Sequence, residues 1–241
     1  METKLLKNKN CLLTGATGGL GKELALTLLS KNCNLFLTSK NELKLKQFSN
    51  QLKKKNDKNI IKYKSANLEK SEDIDELIKC VNLESFNIDI LINCAGVFPV
   101  SPLSKLKISD IDSCFSINVK APILFSKEFS KHMVTKKWGR IVNIASSSAY
   151  DGFANTSLYS ASKHALLGFS RSLQKELKSK NIRTICISPG SIKTKMGKKV
   201  RNQNYQTFIK PKEISTLVVS LLELDNEMVV DEIRLNRMNM Q

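Results

Sequence analysis

Tyr159 and Lys163 stand four residues apart in Tyr159-Ser160-Ala161-Ser162-Lys163, and Ser146 lies thirteen residues upstream of the tyrosine. Within a helix that spacing is one turn, which puts the phenol and the ammonium on the same face. A nearby cation favours the phenolate, so the pair predicts a Tyr159 pKa drawn below the usual value of about 10. A phenol tuned in this way exchanges a proton with a carbonyl or alcohol oxygen. The same spacing also occurs on ordinary solvated helix faces, so the elements around the pair decide its meaning.

Short apolar runs alternate with longer helical patterns along the 241 residues, the sign of βαβ units and a parallel sheet. Strands are predicted at Asn10–Thr14, Asn34–Ser39, Ile60–Ser65, Asp89–Asn93, Arg140–Ala145, Arg183–Ser188 and Glu232–Asn236. Helices are predicted near Leu20–Lys31, Asn41–Lys55, Ser71–Cys80, Ser109–Lys136, Ser157–Lys180 and Lys212–Leu224. No repeat, low-complexity stretch or composition break divides the chain. The expectation is one α/β domain over residues 1–241, a doubly wound sheet of about seven parallel strands with helices on both faces. Residues Lys195–Lys210 form the one long irregular insertion. They follow a strand C-terminus, where open α/β sheets bind ligands, so a mobile lid is expected there.

A hydrophobic content of 41% and a charged content of 25% are ordinary for a globular protein. The net charge of +17 raises the question of nucleic acid. Its lysines are spread along the chain and interleaved with asparagine, with no helix-turn-helix, zinc-finger or aromatic RNA-binding signature. Nucleic acid is therefore not expected as a partner, while an acidic or phosphorylated ligand stays open. No apolar run reaches the roughly 18 residues that span a bilayer, so no membrane partner is expected. The charged stretch Met1–Asn10 reads as neither signal nor transit peptide, and the cytoplasm is the expected location. The six cysteines form no CxxC pair, and only His132 and His164 could join them. Neither a disulfide nor a metal site is expected.

The first strand runs straight into Thr14-Gly15-Ala16-Thr17-Gly18-Gly19-Leu20-Gly21 and then into a helix. Glycines let a backbone turn tightly and approach a pyrophosphate, which a helix N-terminus stabilises through its free amides and dipole. A strand before the turn and a helix after it is the context of a Rossmann-type dinucleotide site. Its spacing here is GxxxGxG. At the other end, the strand Arg140–Ala145 places Ser146 at its C-terminal edge, where ligands sit in such sheets. Pro122 has no N–H, so the carbonyl of Asn118, four residues earlier, is left free inside the predicted long helix.

With TGxxxGxG, Asn93-Cys94-Ala95-Gly96, Asn118, Ser146, YxxxK and Pro189-Gly190 in this order and spacing, the chain resembles the short-chain dehydrogenase/reductase family over nearly its whole length. The resemblance implies a hydride-transferring oxidoreductase with Asn118, Ser146, Tyr159 and Lys163 as catalytic residues. Tyr159 would give or take the proton, and Ser146 would hold the substrate oxygen. Lys163 would tune the phenol and bind the nicotinamide ribose, and a water on the Asn118 carbonyl would link Lys163 to solvent. It also implies a nicotinamide cofactor on Gly15, Thr17, Gly18, Gly19, Leu20 and Gly21, with Asn93, Ala95 and Gly96 binding or supporting the adenosine side. Asn67-Leu68 stands where the family has an acid, and Asn67 can still hydrogen-bond adenine. Pro189, Gly190, Ile192 and Thr194 would hold the nicotinamide end. The resemblance further implies a homodimer or homotetramer.

Coenzyme choice is read at the end of the second strand, where NAD sites place a carboxylate for the ribose 2′-hydroxyl. This chain has Thr38-Ser39-Lys40 and no acid there. Lys40 suits a 2′-phosphate as a point charge, with Ser39 donating a hydrogen bond. NADP(H) is favoured and NAD(H) stays open, since Gly18 stands where many NADP-preferring relatives carry a basic residue. Val97, Phe98, Tyr150, Phe153 and Ser191 are candidate pocket residues for a small-molecule carbonyl or alcohol. Lys195, Lys198, Lys199 and Arg201 on the lid would attract an acidic carrier protein or coenzyme A, which suits a 3-oxoacyl thioester. The C-terminal Glu232–Met238 departs from the Gly-rich ending of such reductases, so sugars, steroids and hydroxy acids stay open. A catalytically idle, cofactor-sensing protein on the same fold is the contrasting reading. The intact Asn118, Ser146, Tyr159 and Lys163 set speaks against it.

Overall fold

The computed structural model describes residues 5–200 and 202–238. Seven strands form one parallel sheet: β1 (Asn10–Thr14), β2 (Asn34–Thr38), β3 (Ile61–Tyr63), β4 (Ile90–Asn93), β5 (Gly139–Ile144), β6 (Ile182–Pro189) and β7 (Glu232–Leu235). Their order is β3-β2-β1-β4-β5-β6-β7. The chain starts mid-sheet, winds outward to β3, returns beside β1 and winds the other way. A crevice therefore opens where β1 and β4 diverge at their C-terminal ends.

Helices cover both faces, so the central strands are buried throughout. On one face lie α1 (Gly19–Ser30), α2 (Glu42–Lys55) and α7 (Pro211–Leu222). On the other lie α3 (Ser71–Leu83), α5 (Ala121–Lys136) and α6 (Ser157–Leu177). Successive strand residues point to opposite faces. Leu13, Leu37, Ile92 and Val142 pack with Leu24, Leu28 and Val218, while Leu12, Phe36, Leu91 and Ile141 pack with Leu77 and Phe125. The expected elements are present within a few residues of their predicted ends, with two exceptions.

The predicted helix Ser109–Lys136 is not continuous. It divides into α4 (Ile108–Phe115), a wide π-type turn over Ser116–Lys120, and α5. In that turn the Ala121 N–H bonds the Ser116 carbonyl, five residues back. Pro122 sits in the first turn of α5 and lacks an N–H, so the break falls where the regular ladder could not continue.

The insertion Lys195–Lys210 is also more structured than expected. It contains short 3₁₀ turns at Gly197–Lys199 and Tyr205–Thr207. A bridge between Ile192 and Ile209 closes its base. Phe208 is buried and packs 5.2 Å from the Tyr205 ring centre. A loop that carries its own buried aromatic is docked, so this segment is a tethered flap. Arg201, one of the expected lid cations, lies outside the described residues. Among the described residues, no helix is long and apolar enough to cross a membrane, and no cluster of His, Cys, Asp or Glu suits a metal.

Candidate active site

A cleft of about 830 Å³ runs across the C-terminal ends of β1, β2, β4 and β5, within the usual size range of a ligand site. Gly15 opens it with φ +68°, a left-handed conformation that glycine adopts without strain. A Cβ on Gly21 would lie 2.2 Å from the Gly15 carbonyl oxygen, so α1 packs onto the turn only because that atom is missing. Thr14, which the sequence reading passed over, joins the two strands at the crevice. Its Oγ1 accepts from the Cys94 and Ala95 N–H groups, each at 3.0 Å. The signal was its place immediately before the first glycine.

Gly18 is the N-cap of α1, with no side-chain cap and no acid in the first turn. The free amides and the positive end of that helix therefore meet the cleft uncompensated, as an anion needs.

The cleft brings together most of the expected cofactor residues. Gly15, Thr17, Gly18, Gly19, Leu20 and Gly21 form one wall. Ser39, Lys40, Asn67 and Leu68 form the far end, and Ala95, Gly96, Tyr159, Lys163, Ile192 and Thr194 the near end. Asn93, Asn118, Ser146, Pro189 and Gly190 are not on its surface. Asn93 is a brace beneath it: its Nδ2 donates to Asn143 Oδ1 at 2.8 Å, and Asn143 Nδ2 donates to Ser170 Oγ at 2.9 Å. Pro189 ends β6, and the Gly190 N–H donates to the Leu235 carbonyl at 2.8 Å.

At the far end Lys40 does not stand alone. Its Nζ lies 2.9 Å from Glu69 Oε2, a residue that the sequence reading missed although it follows Asn67 by two positions. Glu69 Oε2 also accepts from Asn67 Nδ2 at 3.1 Å, and Oε1 accepts from Ser113 Oγ at 3.0 Å. Lys40, then Asn67 and Ser113, hold this carboxyl below the usual glutamate range. The Thr38 and Ser39 hydroxyls at the end of β2 are buried without a partner among the described residues. Two unsatisfied hydroxyls and an uncapped helix N-terminus around one cleft fit a phosphorylated dinucleotide.

At the near end Tyr159 sits in the first turn of α6 and Lys163 one turn on, both buried. Burial pushes the phenol up to about 12, with the Ser146 hydroxyl acting in the opposite sense. Burial also pulls the Lys163 ammonium down to about 8. The expectation of a phenol drawn below 10 is therefore corrected. The two groups share a face, but Lys163 Nζ donates to the Ile144 carbonyl at 2.9 Å and lies 5.7 Å from the Tyr159 ring centre. Desolvation outweighs an attraction aimed elsewhere.

Ser146 follows β5 in extended conformation, and its Oγ accepts from the Ser148 N–H at 3.1 Å. The Phe98 ring stands edge-on to Tyr159, with centres 4.7 Å apart. Behind it is a smaller cavity of about 170 Å³, lined by Val97, Phe98, Pro99, Cys114 and Lys199 among others. Two other expected pocket residues point their polar atoms elsewhere: Tyr150 donates to Glu232 Oε1 and Ser191 to Gln203 Oε1.

Asn118 lies in the π-type turn and is fully buried. Its Oδ1 accepts from the Val97 N–H at 2.9 Å, and its Nδ2 donates to the Val97 carbonyl and to Ser162 Oγ, both at 3.0 Å. The amide thus clamps the segment after β4 as a neighbouring strand would. Thr194 Oγ1 accepts from the Gly197 N–H at 3.1 Å and shapes the base of the flap.

Fold and cleft together define a nicotinamide-dinucleotide oxidoreductase. Residues 9–205 match the family model described as short chain dehydrogenase. The 3-oxoacyl-(acyl-carrier-protein) reductase of Buchnera aphidicola is 32% identical over 204 residues, covering 85% of this chain and 82% of that protein. Carbonyl reductase family member 4 of Xenopus laevis is 32% identical over 222 residues, covering 90% and 92%. Among solved structures, a metagenomic short-chain oxidoreductase in complex with NADP superposes with a TM-score of 0.83 at 26% identity, covering 96% of this chain and 98% of that one. The chain belongs to the short-chain dehydrogenase/reductase family.

Proposed function

We propose that this oxidoreductase uses NADP(H) to interconvert a carbonyl and an alcohol, with a 3-oxoacyl thioester as the favoured substrate. The observation that carries the reading is the convergence of Ser146, Tyr159 and Lys163 beside a cleft whose other end offers two unpartnered hydroxyls and a cation. A bound nicotinamide supplies the hydride for reduction and accepts it for oxidation. In reduction, the Tyr159 phenol is protonated at neutral pH and donates that proton to the substrate oxygen. The Ser146 hydroxyl holds the same oxygen as negative charge builds on it. Lys163 keeps α6 in register on β5 and, in its charged form, stabilises the phenolate that proton donation leaves on Tyr159.

At the far end, Ser39 and Lys40 would hold the 2′-phosphate. Asn67 and Leu68 would meet adenine, Ile192 and Thr194 would meet the carboxamide, and the turn Gly15–Gly21 would hold the pyrophosphate. The thioester choice draws on the named activity of the Buchnera relative and on Lys195, Lys198 and Lys199 at the flap. The whole chain would act as one dinucleotide-binding domain, in the cytoplasm and as a homodimer or homotetramer. Exposed apolar Ile108, Ile111 and Phe115 on one side of α4 support self-association. The Xenopus relative, a carbonyl reductase by name, supports another small carbonyl or alcohol as the second substrate class.

The test is NADPH and NADH oxidation with acetoacetyl thioesters, small ketones, sugars and steroids. Turnover with NADPH and an acyl thioester, lost in Tyr159→Phe, is expected. Tight NADPH binding without turnover on any carbonyl would replace this reading with a cofactor-sensing protein.

A further inference from the structure

We propose that Glu69 sets the coenzyme selectivity of the cleft by neutralising Lys40, so that this carboxylate weakens the grip on a 2′-phosphate without touching the rest of the dinucleotide. The inference rests on the NADP(H) reading above and deepens it.

Glu69 is the carboxylate paired with the one cation at the end of β2. Three donors from three elements converge on it: Lys40 after β2, Asn67 after β3 and Ser113 on α4. This keeps the charge fixed at the pocket wall, since Asn67 and Ser113 hold both oxygens whether or not Lys40 is engaged. Lys40 is the mobile member, with its side chain 66% exposed and a flexible four-carbon stem. An exposed ion pair of this kind is weak, so a dianionic phosphate can draw Lys40 away. It does so against the pull of Glu69 and in the field of a carboxylate that stays behind. NADH has a hydroxyl at that position and meets neither effect.

The same arrangement explains how a chain without an acid at the end of β2 still places a negative charge at the adenosine end. Here the carboxylate comes from beyond β3, and it tempers the preference for the phosphate where a β2 acid would abolish it. Lys44 also lines this end of the cleft, where its charge adds to that of Lys40. Removing the Glu69 charge leaves both cations to the phosphate.

The experiment is equilibrium binding of NADPH, NADH, 2′,5′-ADP and 5′-AMP to wild type, Glu69→Gln, Lys40→Ala and the double variant. Glutamine keeps the shape: its Oε1 can accept from Asn67 Nδ2, while its Nε2–H can donate to the Ser113 hydroxyl in place of the bond the carboxylate accepts. Glu69→Gln is expected to tighten NADPH and 2′,5′-ADP about two- to fivefold, the scale of an exposed charge pair. NADH and 5′-AMP should stay unchanged. Lys40→Ala should loosen only the two phosphate-bearing ligands, and the Glu69→Gln gain should shrink in its background. An unchanged or lower NADPH-to-NADH ratio in Glu69→Gln overturns the proposal, because it would mean that Glu69 has no influence or helps to place Lys40. The coenzyme reading is judged separately, by the wild-type ratio and by whether Lys40→Ala changes it.

Discussion

Lys163 Nζ donates to the carbonyl of Ile144, the last residue of β5, at 2.9 Å. That bond fixes α6 against the strand that leads into Ser146, so the phenol one turn earlier arrives beside the serine hydroxyl. The lysine is therefore a structural tie as well as a charge, and its burial has a consequence for stability. Its folded pKa of about 8 lies below its ordinary value of 10.5. Between those values the unfolded chain binds more protons than the folded one, so this group makes stability rise with pH. Below about pH 8 the full penalty of burying the charge is present.

Lys163→Met removes that dependence. The stability of wild type minus that of Lys163→Met is expected to be flat from pH 6 to 8 and to climb from there toward pH 10.5. The slope is about 1.4 kcal/mol per pH unit, for a total of about 3 kcal/mol. The buried thiols of Cys11 and Cys33, whose pKa values are raised by burial and which do not face Lys163, lower stability at alkaline pH in both proteins and cancel in the difference. Urea unfolding of both at each pH measures it. A difference that stays flat to pH 10 would mean that Lys163 keeps an ordinary pKa.

The Tyr159 phenol, pushed up to about 12 by burial, is protonated throughout the neutral range. Carbonyl reduction needs that proton, so its rate should show no fall from this group between pH 6 and 9. Alcohol oxidation needs the phenolate, so its rate should rise about tenfold per pH unit over the same range. Tyr159→Phe should lose about 10²–10⁴ in kcat in both directions, with the NADPH Kd within about threefold of wild type. Steady-state profiles and fluorescence titration give both quantities. Residual activity above a few per cent in Tyr159→Phe would remove the tyrosine from the proton transfer.

Short apolar runs made β1, β2, β4, β5 and β6 readable, because a strand buried on both faces leaves a continuous hydrophobic run. The glycine turn and the Tyr159–Lys163 spacing were equally plain, since both are local in sequence. What escaped depends on distance. Glu69 meets Lys40 across 29 positions and Ser113 across 44, and nothing in its neighbours announces either. The Tyr159 pKa was read with the wrong sign because spacing reveals a nearby cation but not the depth of burial. The break at Ser116–Lys120 was half legible: Pro122 marked the place, but not the wider turn that accommodates it.

Asn118 holds Val97 by both its N–H and its carbonyl. Asn118→Ala would leave those two groups and the Ser162 hydroxyl without this partner inside the protein. The expected loss is about 2–4 kcal/mol of folding stability, from unsatisfied buried polar groups. Asn118→Asp keeps the acceptor for the Val97 N–H but turns a second oxygen toward the Val97 carbonyl in a fully buried place, so it should lose at least as much stability as Asn118→Ala. Chemical denaturation ranks the three. A loss of activity in Asn118→Ala at unchanged stability would move the residue from positioning to chemistry.

Phe98 meets Tyr159 edge-on at 4.7 Å and forms one wall of the smaller cavity. Val97 beside it lines both that cavity and the main cleft, so the two spaces approach each other near the Phe98–Tyr159 contact. The ring packs edge-on against that of Tyr159, and the expectation is that it bounds the room for a substrate beside the phenol. Such an aromatic pair contributes about 0.5–1.5 kcal/mol beyond area burial. Phe98→Ala should lower kcat about tenfold for a small ketone while narrowing the gap between small and bulky carbonyls, because the added space favours the larger ones. Phe98→Leu keeps part of the wall and should fall between. Comparing kcat/KM for a matched series of ketones in the three proteins reads both effects at once. If Phe98→Ala leaves the small-to-bulky ratio unchanged, the ring does not bound the substrate, and its contact with Tyr159 is packing alone.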